Sequence, residues 1–385
     1  MSLSCDLAVL GGGCAGRAAA ACAVAAGLDT VVVARRDATI EGARVVTGRG
    51  RLAGPGRVRV DRADGSEELK AARIVVATGL RPAPAPALAV DGERILDWRQ
   101  FAAAPGDAAE VLVVGAGSVG VVLAGQLAQA GRRVHLVEMK PAVLDEVDAD
   151  LAAAAAAALR AGGVALRLAT RAIGAATAED GVRLRLLDAV TGQEDTLTVP
   201  VVVVAAGRRP DTRDLGLETV TVETDRRGHL LTDANQETAT PGLYAIGGAV
   251  ATQRTPTAAR REARQAIDHA AGQPSPPVRY HRLTRHCDLQ PPLAWVGLSE
   301  REARDRGRIA RATTATLEGA LVKLVIDGES GNLLGGQALG EGAVAIVDEL
   351  GRTLGRPLPA DLAGAQPPLG PLVRQAAASL RDRAS

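Results

Sequence analysis

Apolar residues fall along this chain in short unbroken runs more often than in an alternating pattern. Leu7–Leu10, Thr30–Ala34, Ile74–Val76, Val111–Val114 and Val201–Val204 are such runs. A run of this length bounded by turn signals predicts a parallel strand buried on both faces. Arg133–Glu138 predicts a further strand. Two of the runs, Leu7–Leu10 and Val111–Val114, lead into a glycine cluster and then an Ala-rich helix, ending near Ala26 and near Ala130. Asp150–Ala161 carries seven consecutive alanines; since alanine is the best helix former, this stretch predicts a helix and not a low-complexity linker.

The two glycine clusters match one pattern. Gly11-Gly12-Gly13-Cys14-Ala15-Gly16 and Gly115-Ala116-Gly117-Ser118-Val119-Gly120 both read G-x-G-x-x-G between a strand and a helix. In such a turn the first glycine permits the tight bend and the second lets backbone approach a pyrophosphate. The third lets helix and strand pack closely, while the helix N-terminus presents N–H groups and a positive dipole. The spacing from Gly11 to Ala34 equals that from Gly115 to Glu138. Each unit is followed by an apolar strand ending in G-x-R-P, Gly79-Leu80-Arg81-Pro82 and Gly207-Arg208-Arg209-Pro210. The shared register makes ligand-free glycine turns the weaker reading and predicts a duplicated dinucleotide-binding unit.

Length and composition narrow the class. At 385 residues, 47% hydrophobic and 23% charged, the chain has room for two or three domains of ordinary globular balance. A net charge of +1 implies no polyanionic partner. Only Trp98, Phe101, Tyr244, Tyr280 and Trp295 are aromatic, too few for base-stacking platforms, so no nucleic-acid partner is expected. Val111–Gly125 is uncharged but too short to span a bilayer, and no membrane partner is expected. Cys5, Cys14, Cys22 and Cys287 show no zinc or redox-pair spacing. A reduced, cytoplasmic protein without a secretory leader or a metal is the expectation.

On these residues the chain resembles the class I pyridine nucleotide-disulfide oxidoreductases, with dihydrolipoamide dehydrogenase the nearest pattern and mercuric and glutathione reductases as relatives. The resemblance is carried further by Thr47–Leu52, Ile74–Gly79, Gly207–Pro210, Pro241–Gly247, Ala294–Glu300 and Val322–Val325. It implies an α/β protein with two Rossmann-like FAD/NAD(P)-binding domains and a C-terminal α+β dimerisation domain. Residues 1–107 with 206–272 would form a truncated FAD-type domain, 108–205 the NAD domain and 277–385 the dimerisation domain. It further implies nucleotide cofactors and a homodimer. Cofactor contacts would fall at Gly11, Gly13, Gly16, Gly50, Thr78, Gly79, Gly115, Gly117, Gly120, Glu138 and Gly207.

Against that resemblance several groups are absent. The family's redox Cys-x4-Cys helix should follow the second strand, yet Ala34 leads within a few residues into a much later segment. In the C-terminal His-Pro-Thr region Gln366 stands for the histidine and Pro371 for the glutamate, and a glutamine is no general base. The ribose-binding acid of the first unit is Ala34, and the aspartate expected near the ribityl–phosphate region is Gly248. The usual Leu-Ala-His beside the flavin is Thr255-Pro256-Thr257. FAD is therefore expected as possible but weakened. In the second unit Glu138 keeps the ribose acid and favours NAD over a 2′-phosphorylated cofactor, although Val122 replaces a glutamate near the nicotinamide.

The expected function is an FAD/NAD(H)-dependent oxidoreductase of the dihydrolipoamide dehydrogenase type, unable to carry out ordinary disulfide reduction and with no catalytic residue assigned. The alternative is a non-catalytic nucleotide-binding relative, an NADH sensor or a dimerising partner of an intact paralogue. Cys14 is expected to be a small residue in a tight turn. His281, His286 and Cys287 are expected to form a surface loop, and Arg260–Arg264 a solvated helix face.

Overall fold

The unbroken apolar runs are where the chain is most deeply buried, and they become the parallel central strands of two sheets. The computed structural model describes residues 3–36, 39–253, 255–358 and 369–382. The chain divides into two units, one of residues 1–81 and 208–280 and the other of residues 82–207 and 281–385.

The first unit opens with β1 (Leu3–Leu10), α1 (Cys14–Ala25), β2 (Thr30–Ala34) and β3 (Arg44–Thr47). It continues with β4 (Arg49–Leu52), β5 (Arg57–Arg62), β6 (Gly65–Val76) and β7 (Leu80–Pro82). β1 lies parallel between β2 and β6, in the order β3-β2-β1-β6-β5-β4. β6 changes character along its length. Its first half pairs antiparallel with β5 and alternates exposed and buried, whereas Ile74–Val76 is buried throughout against β1.

The second unit begins with β8 (Ile95–Asp97), α2 (Trp98–Ala103), β9 (Glu110–Val114), α3 (Ser118–Gln129), β10 (Arg133–Val137) and α4 (Ala149–Ala161). β11 (Val164–Arg167) precedes a three-stranded antiparallel sheet of β12 (Thr170–Ala178), β13 (Gly181–Asp188) and β14 (Glu194–Val199), and β15 (Val201–Val204) returns to the parallel sheet. That sheet has the order β11-β10-β9-β15-β8. Residues 82–107, grouped with the first domain in the sequence reading, fall in the second unit because β8 pairs parallel with β15.

The chain then re-enters the first unit with β16 (Arg208–Pro210), β17 (Leu243–Ala245) and α5 (Pro256–Ala270). The two G-x-R-P endings pair with each other as β7 and β16, and β17 extends the first sheet beside β6. α1 packs on α5 through Ala15, Ala19, Ala20 and Ala23 against Ala259, Ala263, Ala266 and Ala270. Small side chains let these helices approach closely, which gives a core nearly free of aromatic rings its contact density.

The last segment forms β18 (Arg285–Cys287), β19 (Leu293–Gly297), α6 (Glu300–Asp305), β20 (Ala310–Leu317), β21 (Ala320–Asp327), β22 (Leu333–Leu339), α7 (Ala343–Thr353) and α8 (Leu369–Asp382). Its five strands make one antiparallel sheet in the order β18-β19-β22-β21-β20. Both faces of that sheet are covered. Ala294, Val296, Val322 and Leu324 pack with α7 and α8, and Leu293, Trp295 and Leu321 join the core of α3 and α4. The fold is thus α/β with two Rossmann-like domains and a C-terminal α+β domain. The expected loop at His286 and Cys287 is instead an edge strand. Cys287 is buried, its thiol donates to the Ser118 carbonyl at 3.8 Å, and burial pushes its pKa up to about 12.

Candidate functional site

The two glycine turns are built alike, bond for bond. The N–H of Gly11 donates to the Val33 carbonyl at 2.9 Å, and that of Gly115 to Val137 at 2.8 Å. Ala77 donates to Leu10 at 2.9 Å, and Ala205 to Val114 at 2.8 Å. The first glycine of each turn has a positive φ, 122° and 105°, a region closed to most side chains. A Cβ on Gly16 would lie 1.8 Å from the Gly11 carbonyl oxygen, and one on Gly120 would lie 1.7 Å from that of Gly115. The third glycine is therefore demanded by the close pass of helix over strand.

The middle glycines differ from these. A Cβ on Gly13 or Gly117 would meet no protein atom within 4 Å. Glycine there is not required by packing, so each turn leaves open space over the N-terminus of a twelve-residue helix. Oriented N–H groups and the helix dipole make that space suitable for a phosphate.

Around the second turn lie Ala205 and Gly207 at the end of β15 and Glu138 just beyond β10. Glu138 is buried. Its Oε2 accepts the Ala116 N–H at 2.6 Å and its Oε1 accepts the Lys140 N–H at 2.9 Å. A carboxylate has about four acceptor positions, so after these two bonds it retains capacity for ribose hydroxyls. Beside it, Met139 is exposed. Val122, in place of the family's glutamate, lies on α3 and packs against the apolar core.

Around the first turn the structure gathers Gly11, Gly13, Gly16, Thr78 and Gly79 at the C-terminal ends of β1 and β6. Thr78 Oγ1 is buried without a hydrogen-bond partner among the described residues. Gly50 serves packing, since a Cβ there would meet Leu10 and Val33 at 2.8 and 3.2 Å. Ala34 brings only a methyl group to the position of Glu138, and the Gly12 carbonyl instead accepts Arg17 Nε at 3.1 Å. A Cβ on Gly248 would lie 2.8 Å from Gly79 C and 2.9 Å from Leu80 N. The backbone after β6 and the Leu80 side chain thus lie where a side chain at position 248 would begin.

Three clusters escaped the sequence reading. Glu262, within the supposedly solvated Arg260–Arg264 face, is fully buried. It accepts the Gly247 N–H at 2.6 Å and the Thr252 hydroxyl, and burial raises its pKa. Arg35 pairs with Asp211 at 3.3 Å, and burial together with the charges of Arg213 and Arg209 lowers the Arg81 pKa against the pull of Asp211. In the second unit Lys323 is buried among Asp148 (3.5 Å), Asp150 (3.2 Å) and Glu300 (3.1 Å), beside a cavity of about 290 Å³. The Arg35-Arg36 pair directly after Ala34 was the available signal for the second cluster; Glu262 meets groups in the loop that precedes its own helix, and Asp148 and Asp150 are remote in sequence from Lys323. Cys14 opens α1 and is exposed. Pro371 is exposed in α8, and Gln366 lies outside the described residues. No helix among the described residues is long and apolar enough to cross a membrane.

Residues 39–270 match the model of the pyridine nucleotide-disulphide oxidoreductase family, and residues 286–375 match the model of its dimerisation domain. The chain is 32% identical over 316 residues to dihydrolipoyl dehydrogenase 3 of Pseudomonas putida, covering 79% of this chain and 67% of that protein. It is 33% identical over 320 residues to dihydrolipoyl dehydrogenase of Chlorobaculum tepidum, covering 80% and 68%. Among solved structures it has the fold of LpdA from Mycobacterium tuberculosis, with a TM-score of 0.82 at 22% identity over 98% of this chain and 99% of that one. It also has the fold of the HOCl-induced flavoprotein disulfide reductase RclA from Escherichia coli, with a TM-score of 0.83 at 18% identity over the whole of both chains. With its paired glycine turns and its C-terminal sheet, this chain belongs to the pyridine nucleotide-disulphide oxidoreductase family, whose members bind FAD and NAD(P).

Proposed function

We propose that the chain is an NAD(H)-dependent oxidoreductase of the dihydrolipoamide dehydrogenase type that does not carry out ordinary disulfide reduction. The observation that carries this reading is Glu138. Its carboxylate is tied to the turn backbone at Ala116 and keeps free acceptor positions for an adenosine ribose. Gly115, Gly117, Gly120 and Gly207 would line the pyrophosphate path, and the negative charge would disfavour a 2′-phosphate. Absence of the disulfide step is supported by all four cysteines being free, none of them in a pair, and by Gln366 and Pro371 in the place of the family's acid–base pair. A homodimer is the assembly suggested by the match to the dimerisation domain, and the cytoplasm is the proposed location.

The first unit would hold FAD weakly. Gly11, Gly13, Gly16, Gly50, Thr78 and Gly79 remain as candidate contacts, but Ala34 offers no acceptor and Gly248 has no room for one. Loss of two such anchors costs several kcal/mol of affinity, on the order of 1–3 each. This contact at Gly248 favours a second reading, a non-catalytic nucleotide-binding relative.

The test is the visible absorbance of the purified protein, followed by anaerobic NADH. A yellow protein bleached by NADH supports the oxidoreductase. A colourless protein that FAD does not reconstitute sinks it. If NADH also leaves the melting temperature unchanged, the binding reading falls as well.

A further inference from the structure

A polar row crosses the C-terminal sheet on the face turned to α3 and α4. Arg285, Trp295, Gln337, Lys323 and Thr314 are successive cross-strand partners on β18, β19, β22, β21 and β20. Directly opposed residues of antiparallel strands share a face. The next row on that face, Leu293, Leu339 and Leu321, is apolar core.

The polar row is fastened to Asp148. Gln337 is buried; its Oε1 accepts the Asp148 N–H at 3.0 Å and its Nε2 donates to Asp148 Oδ2 at 2.8 Å. The Glu300 N–H donates to the same oxygen at 3.1 Å, and Lys323 Nζ lies 3.5 Å from it. Asp148 is the N-cap residue of α4, yet its side chain makes no capping bond to that helix. An N-cap aspartate ordinarily accepts N–H groups of its own first turn. Here the sheet holds the carboxylate instead.

The segment from Glu138 to Asp148 wraps around Ala116 of the second glycine turn. Ala116 donates its N–H to Glu138 Oε2 at 2.6 Å, and its carbonyl accepts the Leu144 N–H at 2.9 Å. Leu144 is buried with φ at 48°. A side-chain-bearing residue keeps this left-handed conformation only where its surroundings over-determine it. The strained residue stands between two fixed points, Ala116 and Asp148.

We propose that Gln337 is a positioning residue for nucleotide binding at the second turn. By holding Asp148 it keeps Leu144 strained, and keeps Ala116 and Glu138 in the arrangement that receives an adenosine ribose. The proposal rests on reading Glu138 as the ribose acid, and adds that the C-terminal sheet sets the fraction of molecules competent to bind. Without the anchor, Asp148 turns to cap its own helix and the segment relaxes. Apparent affinity then falls in proportion to the competent fraction.

The experiment measures NADH affinity by calorimetry on the full chain, well below its melting temperature. Gln337→Leu removes the anchor, and Asp148→Ser removes it while supplying a good helix cap that does not reach Gln337. Each is expected to weaken NADH by about tenfold or more. In a Glu138→Ala background neither change should weaken binding much further, because both act through the same segment. Val347→Ala, in the core on the opposite face of the sheet, should lower the melting temperature and leave NADH affinity unchanged. Wild-type affinity in folded Asp148→Ser, a full additional loss on Glu138→Ala, or an equal loss in Val347→Ala overturns the proposal and leaves the NAD site standing. A wild-type protein that does not bind NADH overturns both.

Discussion

The carboxylate of Glu138 accepts the amide N–H of Ala116 at 2.6 Å, joining the end of one strand to the turn that follows its neighbour. The bond fixes the acid over the glycine turn before any ligand arrives. Removing it by Glu138→Ala leaves a buried N–H unsatisfied, at about 1–3 kcal/mol. The variant is expected to lose that much stability in urea unfolding and to bind NADH on the order of 10–100-fold more weakly. Unchanged NADH affinity would show that Glu138 is only a structural acceptor.

The middle glycines allow each cradle to be closed separately. A Cβ at Gly13 or Gly117 meets no protein atom, and neither residue has a positive φ. Alanine at either position is expected to leave stability unchanged or raise it by about 0.4–1 kcal/mol, while obstructing a phosphate. Gly117→Ala should abolish the shift in melting temperature caused by NADH, and Gly13→Ala should leave it intact. The reverse pattern would exchange the roles of the two units.

Glu262 makes stability depend on pH in an unusual direction. Burial raises its pKa above the ordinary value of 4.5. The stabilisation it offers is therefore full below that value and is lost as pH rises through the raised folded value. Gln can keep the bond from Gly247 and donate to the Thr252 hydroxyl without a charge. The stability of wild type relative to Glu262→Gln should fall as pH rises above 4.5 and through the raised folded value, as read by thermal melts of both proteins. A difference independent of pH would mean that the carboxylate is charged throughout.

Lys323 joins the C-terminal sheet to the start of α4. Burial pushes its pKa down, but the hydrogen bond to Glu300 and the charges of Asp148 and Asp150 prevail and hold it above the usual 10.5. Its stabilisation is present below that value and is lost as pH rises through the higher folded one. Lys323→Met strands three carboxylates and should cost about 3–5 kcal/mol. Limited proteolysis should then cut first near residues 281–292, where the C-terminal segment begins. Equal resistance to protease would show that the apolar contacts of Leu293, Trp295 and Leu321 hold the segment alone.

Much of the parallel framework was readable in advance. Leu7–Leu10 and Val111–Val114 are apolar at every position because helices cover both faces of a parallel strand, and the turns after them are marked by glycines that tolerate no Cβ. The antiparallel sheet of residues 170–199 leaves only a faint mark on the sequence. β12 is built largely of small, half-exposed residues, and only the alternation of Val182, Leu184 and Leu186 on β13 marked it. Cys287 looked like part of a loop because the apolar surroundings that bury it come from α3, far away in sequence.

By itself the sequence determined the duplicated strand–turn–helix units, their common register, and the asymmetry between Ala34 and Glu138. These depend on interactions within a few residues, where spacing and side-chain size decide the outcome. Only the tertiary structure decided that Gly79 and Leu80 fill the space beside Gly248, that Glu262 is buried, and that Arg35 from the end of β2 pairs with Asp211 after β16. Burial and charge convergence depend on segments brought together by the sheet, and linear spacing carries no record of which strand ends become neighbours.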